Sequence, residues 1–208
     1  MKLYYSAGSC STSCHITLEE SGLKYEAIGI DWENTLDPNT QLVTRLNPLE
    51  TLPILITDEG QQLDQNIAIH TYVADKAPQK NLLPAHGTFE RVKALNWLSF
   101  IASDLHKSIG GIFGLEGISS DKAIQSTVRK YMVEKSNNNL SYLDSNLSKK
   151  DYLLGSTFTA PDAYAFVVVG WTKWLEIPLT PYTNIQNYMK RIAARPAVQT
   201  VLTTEGLA

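Results

Sequence analysis

The chain has 208 residues, of which 43% are hydrophobic and 19% are charged, and its formal net charge is −3. This length and composition are typical of a soluble globular protein with one large domain or two small ones. Because the chain has neither a basic stripe nor an apolar run of the roughly 20 residues that span a membrane, and no recognisable signal peptide, we expect no nucleic-acid partner and no membrane association.

The first 30 residues predict a strand, a helix and a second strand. Residues 2–5 alternate in polarity and are rich in aromatic side chains, as in a short strand. A turn at 6–9 precedes the hydroxyl-rich segment 10–13, which suits a helix N-terminus, and Gly22 is a typical helix stop. Because 25–30 has the pattern of another strand, we expect a βαβ unit with two parallel strands.

The following residues predict the rest of a small α/β domain with the order βαβαββα. The predicted elements are a loop at 32–39, a short helix at 41–46, strands at 53–56 and 62–63, and a helix at 65–77. Between the two strands, Asp58-Glu59-Gly60 has the sequence of a tight hairpin turn.

After a linker-like stretch at 78–87 the sequence predicts helices only. The predicted helices cover about 92–109, 128–147, a third beginning at Thr159, and two short ones at 185–193 and 197–205. Thr159 and Asp162 form a capping-box pattern, which we expect to stabilise the helix rather than take part in catalysis.

The two cysteines are Cys10 and Cys14. A pair this close cannot staple a fold, so we expect a reducing, cytoplasmic setting, and the scattered histidines give no metal-ligand spacing. Cys10 lies at the start of a predicted helix, where free N–H groups and the helix dipole favour a thiolate and lower the thiol pKa. The alternative for Cys10 is a small buried hydrophobic residue. Cys14 is either a resolving partner that forms a disulfide with Cys10 or a buried core residue. We favour the core residue, because i,i+4 neighbours on a helix are about 5–6 Å apart at Cβ and a disulfide needs about 3.5–4.5 Å.

Seven segments, in their order and spacing, resemble beta-class bacterial glutathione transferases along the whole chain. These are KLYYSAGSCS at 2–11, LNP…LP at 46–53, IAIHTYVAD at 67–75, NWLSFIASDLHK at 96–107, DYLLG at 151–155, FTAPDAY at 158–164 and AARPAVQ at 193–199. The resemblance implies a thioredoxin-like glutathione-binding domain at 1–77, a linker at 78–87, an all-helical acceptor-substrate domain at 88–208, and a homodimer.

The resemblance also assigns roles to residues of the helical domain and to Cys10. It implies that Cys10 faces the sulfur of glutathione and can form a mixed disulfide with it, and that His106 lies near this sulfur and can donate to it. Ser99, Ser103 and His106 recur at helical spacing as a small polar stripe that suits a cleft wall. By the same resemblance, Ser103 and Asp104 reach the γ-glutamyl group bound by the neighbouring subunit.

In the first domain the resemblance implies that Leu52 pairs through its backbone with the cysteinyl part of glutathione, before a cis Pro53. Gln65 and Asn66 stand where the family has an acidic residue followed by Ser or Gly, so the ammonium of glutathione loses a charged partner. Thr35 and Leu49 stand where the family often has Lys. We therefore predict that glutathione binds, but weakly.

The favoured function is conjugation of glutathione to electrophilic apolar acceptors, with glutathione-dependent peroxidase or thiol-exchange activity through Cys10 as an addition. One alternative is a cysteine-based glutathione lyase or reductive dehalogenase. The other is a non-catalytic interaction protein with the same fold, which Thr35, Leu49 and Gln65 would suit.

Overall fold

In the computed structural model, which describes every residue from Met1 to Ala208, the predicted βαβ unit is present. Strand β1 is Lys2–Tyr5, helix α1 is Ser11–Ser21 and strand β2 is Glu26–Gly29. The two strands are parallel, with Lys2 opposite Glu26 and Tyr5 opposite Gly29. Helix α1 ends at Gly22, whose φ of 67° lies in the left-handed region that glycine adopts without steric cost.

The sheet is completed by two antiparallel strands. Strands β3 (Ile54–Ile56) and β4 (Gln62–Leu63) give the order β2-β1-β3-β4, with β3 antiparallel to both β1 and β4. Helix α2 is Pro38–Leu46 and helix α3 is Asn66–Lys76. Helix α2 begins earlier than predicted because Asp37 caps it, accepting two backbone N–H groups, and proline fits the first helical position.

Apolar side chains cover both faces of this sheet. One cluster joins the sheet to α1 and α3 through Leu3, Tyr5, Cys14, Leu18, Leu55, Ile69 and Val73. The other joins it to α2 through Tyr4, Ile30, Val43 and Ile54. Cys14 is completely buried in the first cluster, as its interpretation as a core residue predicts. Packing of α1 on the sheet therefore fixes the place where Cys10 enters the helix.

The remaining elements are helical. They are α4 (Phe89–Phe100), a π-helical turn (Ile101–Leu105), α5 (His106–Gly110), α6 (Leu115–Ile118), α7 (Lys122–Asn146), α8 (Ala160–Trp174), α9 (Thr183–Ala193) and α10 (Pro196–Thr204). The predicted helix at 92–109 is therefore α4 and α5 joined through a π turn. A small α/β unit and a set of helices make up the fold that the sequence predicted.

The capping box of α8 is a buried hydrogen-bond centre. Oδ2 of Asp162 accepts the backbone N–H of Thr159 at 2.8 Å and the Thr159 hydroxyl at 2.7 Å. Oδ1 accepts the N–H of Leu153 and the hydroxyl of Tyr188, both at 2.9 Å. Asp162 thus ties the preceding loop and α9 to the start of α8, which is the structural role that the sequence predicted.

The chain divides into two units whose boundaries differ from the predicted domains. The first unit is Met1–Thr88 together with Ala193–Ala208, and the second is Phe89–Ile192. The predicted linker at 78–87 lies in the first unit. Helix α10 also lies in the first unit, whereas the predicted boundaries place it in the helical domain. Helix α10 packs there against α1.

Candidate active site

Cys10 lies at the start of α1, beside the turn that precedes β3. Its half-buried thiol donates a hydrogen bond to the carbonyl of Leu52, with Sγ 3.5 Å from the oxygen. The peptide bond between Leu52 and Pro53 is cis, as predicted. The Cys10 carbonyl accepts from Nδ2 of Asn66 at 3.0 Å and from the Ser13 hydroxyl at 2.7 Å. The first unit therefore brings together four predicted site residues.

The structure contradicts the predicted low pKa of Cys10. Burial raises the pKa of this thiol to about 11. The N–H groups on which the prediction relied already have partners: those of Ser11 and Thr12 donate to the side chain and carbonyl of Ser9, and that of Ser13 donates to the Cys10 carbonyl. Cys10 is consequently a neutral thiol near pH 7, able to donate a hydrogen bond.

Alkylation of Cys10 by iodoacetamide should reflect this raised pKa. Only the thiolate reacts, so the rate constant should rise about tenfold per pH unit from pH 7 to pH 10 without a plateau. The measurement is labelling of the folded protein, with Cys10→Ala as the blank for the buried Cys14. A plateau at or below about pH 8.5 would show instead that the thiol is acidic.

The start of α3 contributes less than the sequence suggested. Gln65 is the exposed N-cap residue and its side chain makes no capping hydrogen bond. Asn66 is buried, and its amide is directed at the Cys10 carbonyl and at Oγ of Ser13, 3.0 Å from each. The Asn66 side chain therefore braces the Cys10 backbone. Thr35 and Leu49 are both exposed.

Sequence reasoning missed a buried polar group behind Cys10, centred on His70. This completely buried imidazole contacts the Ser13 hydroxyl at 3.1 Å and the Thr17 hydroxyl at 2.8 Å. Burial lowers its pKa to about 3, so it is neutral at pH 7. Ser13 and Thr17 are one turn apart on α1, and His70 is a polar residue within the apolar part of α3, and that was the available signal.

In the second unit, His106 lies among aromatic side chains. Its Nδ1 is 2.7 Å from the hydroxyl of Tyr164, and its ring meets Trp171 edge-on at a centroid distance of 4.8 Å. Phe113 also meets this tryptophan edge-on, at a centroid distance of 6.0 Å, and is half exposed. Desolvation lowers the pKa of His106 to about 4, so the imidazole is neutral at pH 7. When Tyr164 donates to Nδ1, Nε2 carries the proton and can donate to a ligand.

The remaining predicted residues of the second unit lie along the π turn. The Ser103 hydroxyl donates to Oδ2 of Asp104 at 2.6 Å and to the Ser99 carbonyl at 2.8 Å. All three residues are exposed. The π turn departs from regular α-helical spacing, and such turns are frequent at functional sites.

No group of three or more His, Cys, Asp or Glu side chains is arranged to hold a metal ion. None of the helices combines the length and the apolar character that crossing a bilayer requires.

Comparison with protein families gives two matches. A glutathione S-transferase N-terminal domain matches residues 1–75, and a glutathione S-transferase C-terminal domain matches residues 112–196. The chain is 34% identical to glutathione S-transferase GstA of Escherichia coli O157:H7 and 31% identical to glutathione S-transferase GST-4.5 of Xanthomonas campestris. Each alignment has 207 positions and covers both proteins completely.

Solved structures similar to this chain are also glutathione S-transferases. BphK, a bacterial glutathione S-transferase in a ternary complex, is 38% identical with a TM-score of 0.91, and a sphingomonad glutathione S-transferase complexed with glutathione is 34% identical with a TM-score of 0.90. The beta-class enzyme of Sphingomonas chungbukensis is 34% identical with a TM-score of 0.90. All three are covered over the full length of both chains.

Proposed function

The chain belongs to the glutathione S-transferase family and is a glutathione-conjugating enzyme, and we propose that its first unit binds glutathione with the substrate sulfur beside Cys10. The observation that carries this assignment is the Cys10 thiol, half-buried and 3.5 Å from the Leu52 carbonyl next to a cis proline. An extended peptide such as the cysteinyl part of glutathione can pair with the Leu52 backbone like an added strand. The relative from a sphingomonad was solved with glutathione bound, which supports the same ligand here.

The raised pKa of Cys10 favours conjugation over chemistry in which Cys10 itself attacks. With a pKa of about 11, roughly one molecule in 10,000 carries the thiolate at pH 7. The glutathione thiol releases its proton to solvent, and the neutral S–H of Cys10 donates a hydrogen bond to the resulting thiolate. This thiolate attacks an electrophilic carbon as the leaving group departs with its electron pair. Peroxidase, thiol-exchange, lyase and dehalogenase reactions in which Cys10 is the nucleophile need its thiolate and should be minor.

We propose that His106 is a second donor to bound glutathione, as the family resemblance implies. Its low pKa keeps it neutral, and the Tyr164 hydroxyl at Nδ1 leaves Nε2 as the other hydrogen-bonding atom. Phe113 and Trp171 around it favour an apolar electrophile as the acceptor.

A cytoplasmic location stays a prediction that rests on the two free cysteines.

Conjugation of glutathione to 1-chloro-2,4-dinitrobenzene tests the role of Cys10. Cys10→Ala removes one weak donor to the thiolate, so kcat should fall about 3- to 10-fold while the protein stays folded. Cys10→Ser, which keeps a hydroxyl donor, should retain more activity than Cys10→Ala. Equal, unchanged kcat in wild type and both variants would remove Cys10 from the mechanism.

Gln65→Glu should tighten glutathione binding several-fold, since a carboxylate gives the substrate ammonium a charge-assisted hydrogen bond. The measurement is titration calorimetry at fixed ionic strength. Gln61→Glu, which adds the same charge at another exposed position of this unit, is the matched control and should leave the affinity unchanged. If Gln65→Glu has no effect, another group, such as Asp104 of a second subunit, already pairs with the ammonium.

We further propose that the protein is a homodimer. On the second unit, α4 and α7 border an open groove of about 460 Å³ whose lining includes Phe89, Val92, Trp97 and Tyr142. Phe89 is 68% exposed and Val92 54% exposed, and neighbouring exposed apolar side chains are a feature of interaction surfaces. A second copy of the chain would cover this surface. Sedimentation equilibrium measures the molecular mass in solution, and we expect twice the 23.1 kDa of one chain.

A further inference from the structure

A buried carboxylate with no part in the proposed chemistry lies next to α1. The Glu205 side chain follows α10 and is completely buried. Its Oε2 accepts the backbone N–H of Gly8 at 3.2 Å and the hydroxyl of Thr12 at 2.7 Å. Its Oε1 is 2.8 Å from Nδ1 of His15. A carboxylate is buried at high cost unless it is satisfied in this way, so these three donors hold it firmly.

The three donors surround Cys10 in the chain. Gly8 precedes it by two residues in the turn after β1, with φ of 73°, and Thr12 follows it by two. His15 lies one turn further along, on the same face of α1 as Thr12. The carboxylate therefore fixes the backbone on both sides of Cys10, while the thiol itself is directed at the Leu52 carbonyl.

A second contact between α10 and α1 provides an internal reference. Arg195, at the start of α10, forms a bidentate ion pair with Glu20 at the far end of α1, with Nη2 2.9 Å from Oε2. This pair ties the same two helices together at the end of α1 remote from Cys10. Most of α10 and all of Glu205 also lie beyond residue 196, where the match to the C-terminal family domain ends.

We propose that Glu205 is a positioning residue for Cys10: by clamping Gly8 and Thr12 it holds the thiol at the distance from Leu52 at which it meets the glutathione sulfur. The effect on turnover rests on the proposed role of Cys10, whereas the effect on the thiol's own reactivity does not. The C-terminal helix thereby becomes part of what sets the reactivity of a cysteine near the N-terminus.

The test compares Glu205→Ala, Glu205→Gln and Arg195→Met. In Glu205→Ala we expect kcat for conjugation to fall about tenfold with the glutathione KM changed less than about threefold. The rate of Cys10 alkylation at pH 8 should rise several-fold, because the thiol becomes more exposed to solvent. Glu205→Gln should restore most of the activity, since its amide oxygen accepts from Gly8 and Thr12 and its NH₂ group can donate to Nδ1 of His15. Arg195→Met loosens the same helix pair and should change neither rate.

Circular dichroism verifies that each variant is folded. If Glu205→Ala does not fold, Thr12→Val removes one of the three donors with nearly the same shape and is judged by the same two rates. A folded Glu205→Ala or Thr12→Val protein with wild-type kcat and alkylation would overturn the proposal, as would equal changes in Arg195→Met. If Cys10→Ala keeps full activity, the proposed role of Cys10 fails, and the alkylation rates still decide whether Glu205 positions the thiol.

Discussion

Replacing Asp162 with alanine should lower the free energy of unfolding by about 3–5 kcal/mol, because it leaves several buried donors without an acceptor. These are the N–H groups of Leu153 and Thr159 and the hydroxyls of Thr159 and Tyr188. A loss of this size is a large fraction of the stability of an ordinary domain. Urea unfolding followed by circular dichroism measures it.

Asp121→Ala is the matched control, since Asp121 also caps a helix but is exposed and accepts the backbone N–H of Ala123. Its loss should cost only about 1 kcal/mol. Comparable costs for the two variants would mean that Asp162 acts as an ordinary helix cap and does not hold the surrounding elements together.

The destabilisation caused by Asp162→Ala should also depend on pH. Burial raises the pKa of Asp162 in the folded chain to about 6, above its ordinary value of 3.8. Between these values the folded state binds more protons than the unfolded state, so the stability that Asp162 contributes is lost as pH rises through about 6. The variant should therefore lose more stability relative to wild type at pH 5 than at pH 7.5. A loss that is the same at both pH values contradicts the raised pKa.

Gly110→Ala should destabilise the second unit by about 1–2 kcal/mol and reduce conjugation. A Cβ at this position would lie 2.9 Å from Cδ2 of His106 and 3.1 Å from Cζ3 of Trp171, so the imidazole must move. Alanine gains up to about 1 kcal/mol in helix propensity, but overpacking costs about 1–3 kcal/mol and outweighs it. Thermal unfolding and the conjugation assay measure the two effects.

Gly170→Ala in α8 is the control, because a Cβ there meets no atom within 4 Å. It should stabilise the protein by up to about 1 kcal/mol and leave conjugation unchanged. Stability changes of the same sign in the two glycine variants would show that His106 is not held against Gly110.

The sequence by itself determined the element order and the location of much of the site. Local chemistry was sufficient for the helix stop at Gly22, the hairpin at Asp58-Glu59-Gly60 and the capping box of Thr159 and Asp162. These features depend on residues a few positions apart, and their geometry follows from backbone preferences. The resemblance correctly implied the cis bond before Pro53, and the interpretation of Cys14 as a small buried hydrophobic residue was also correct.

Only the tertiary structure decided the state of Cys10. Burial raises its thiol pKa to about 11, against a smaller lowering by a hydrogen bond from its own backbone N–H. The oxygens of Ser9 and of Cys10 itself accept the next N–H groups at the start of α1. The contact between Glu205 and Thr12 joins residues 193 positions apart, and no local pattern specifies which buried partners meet over such a distance. The return of α10 to the first unit follows from the same long-range packing, which composition and spacing do not encode.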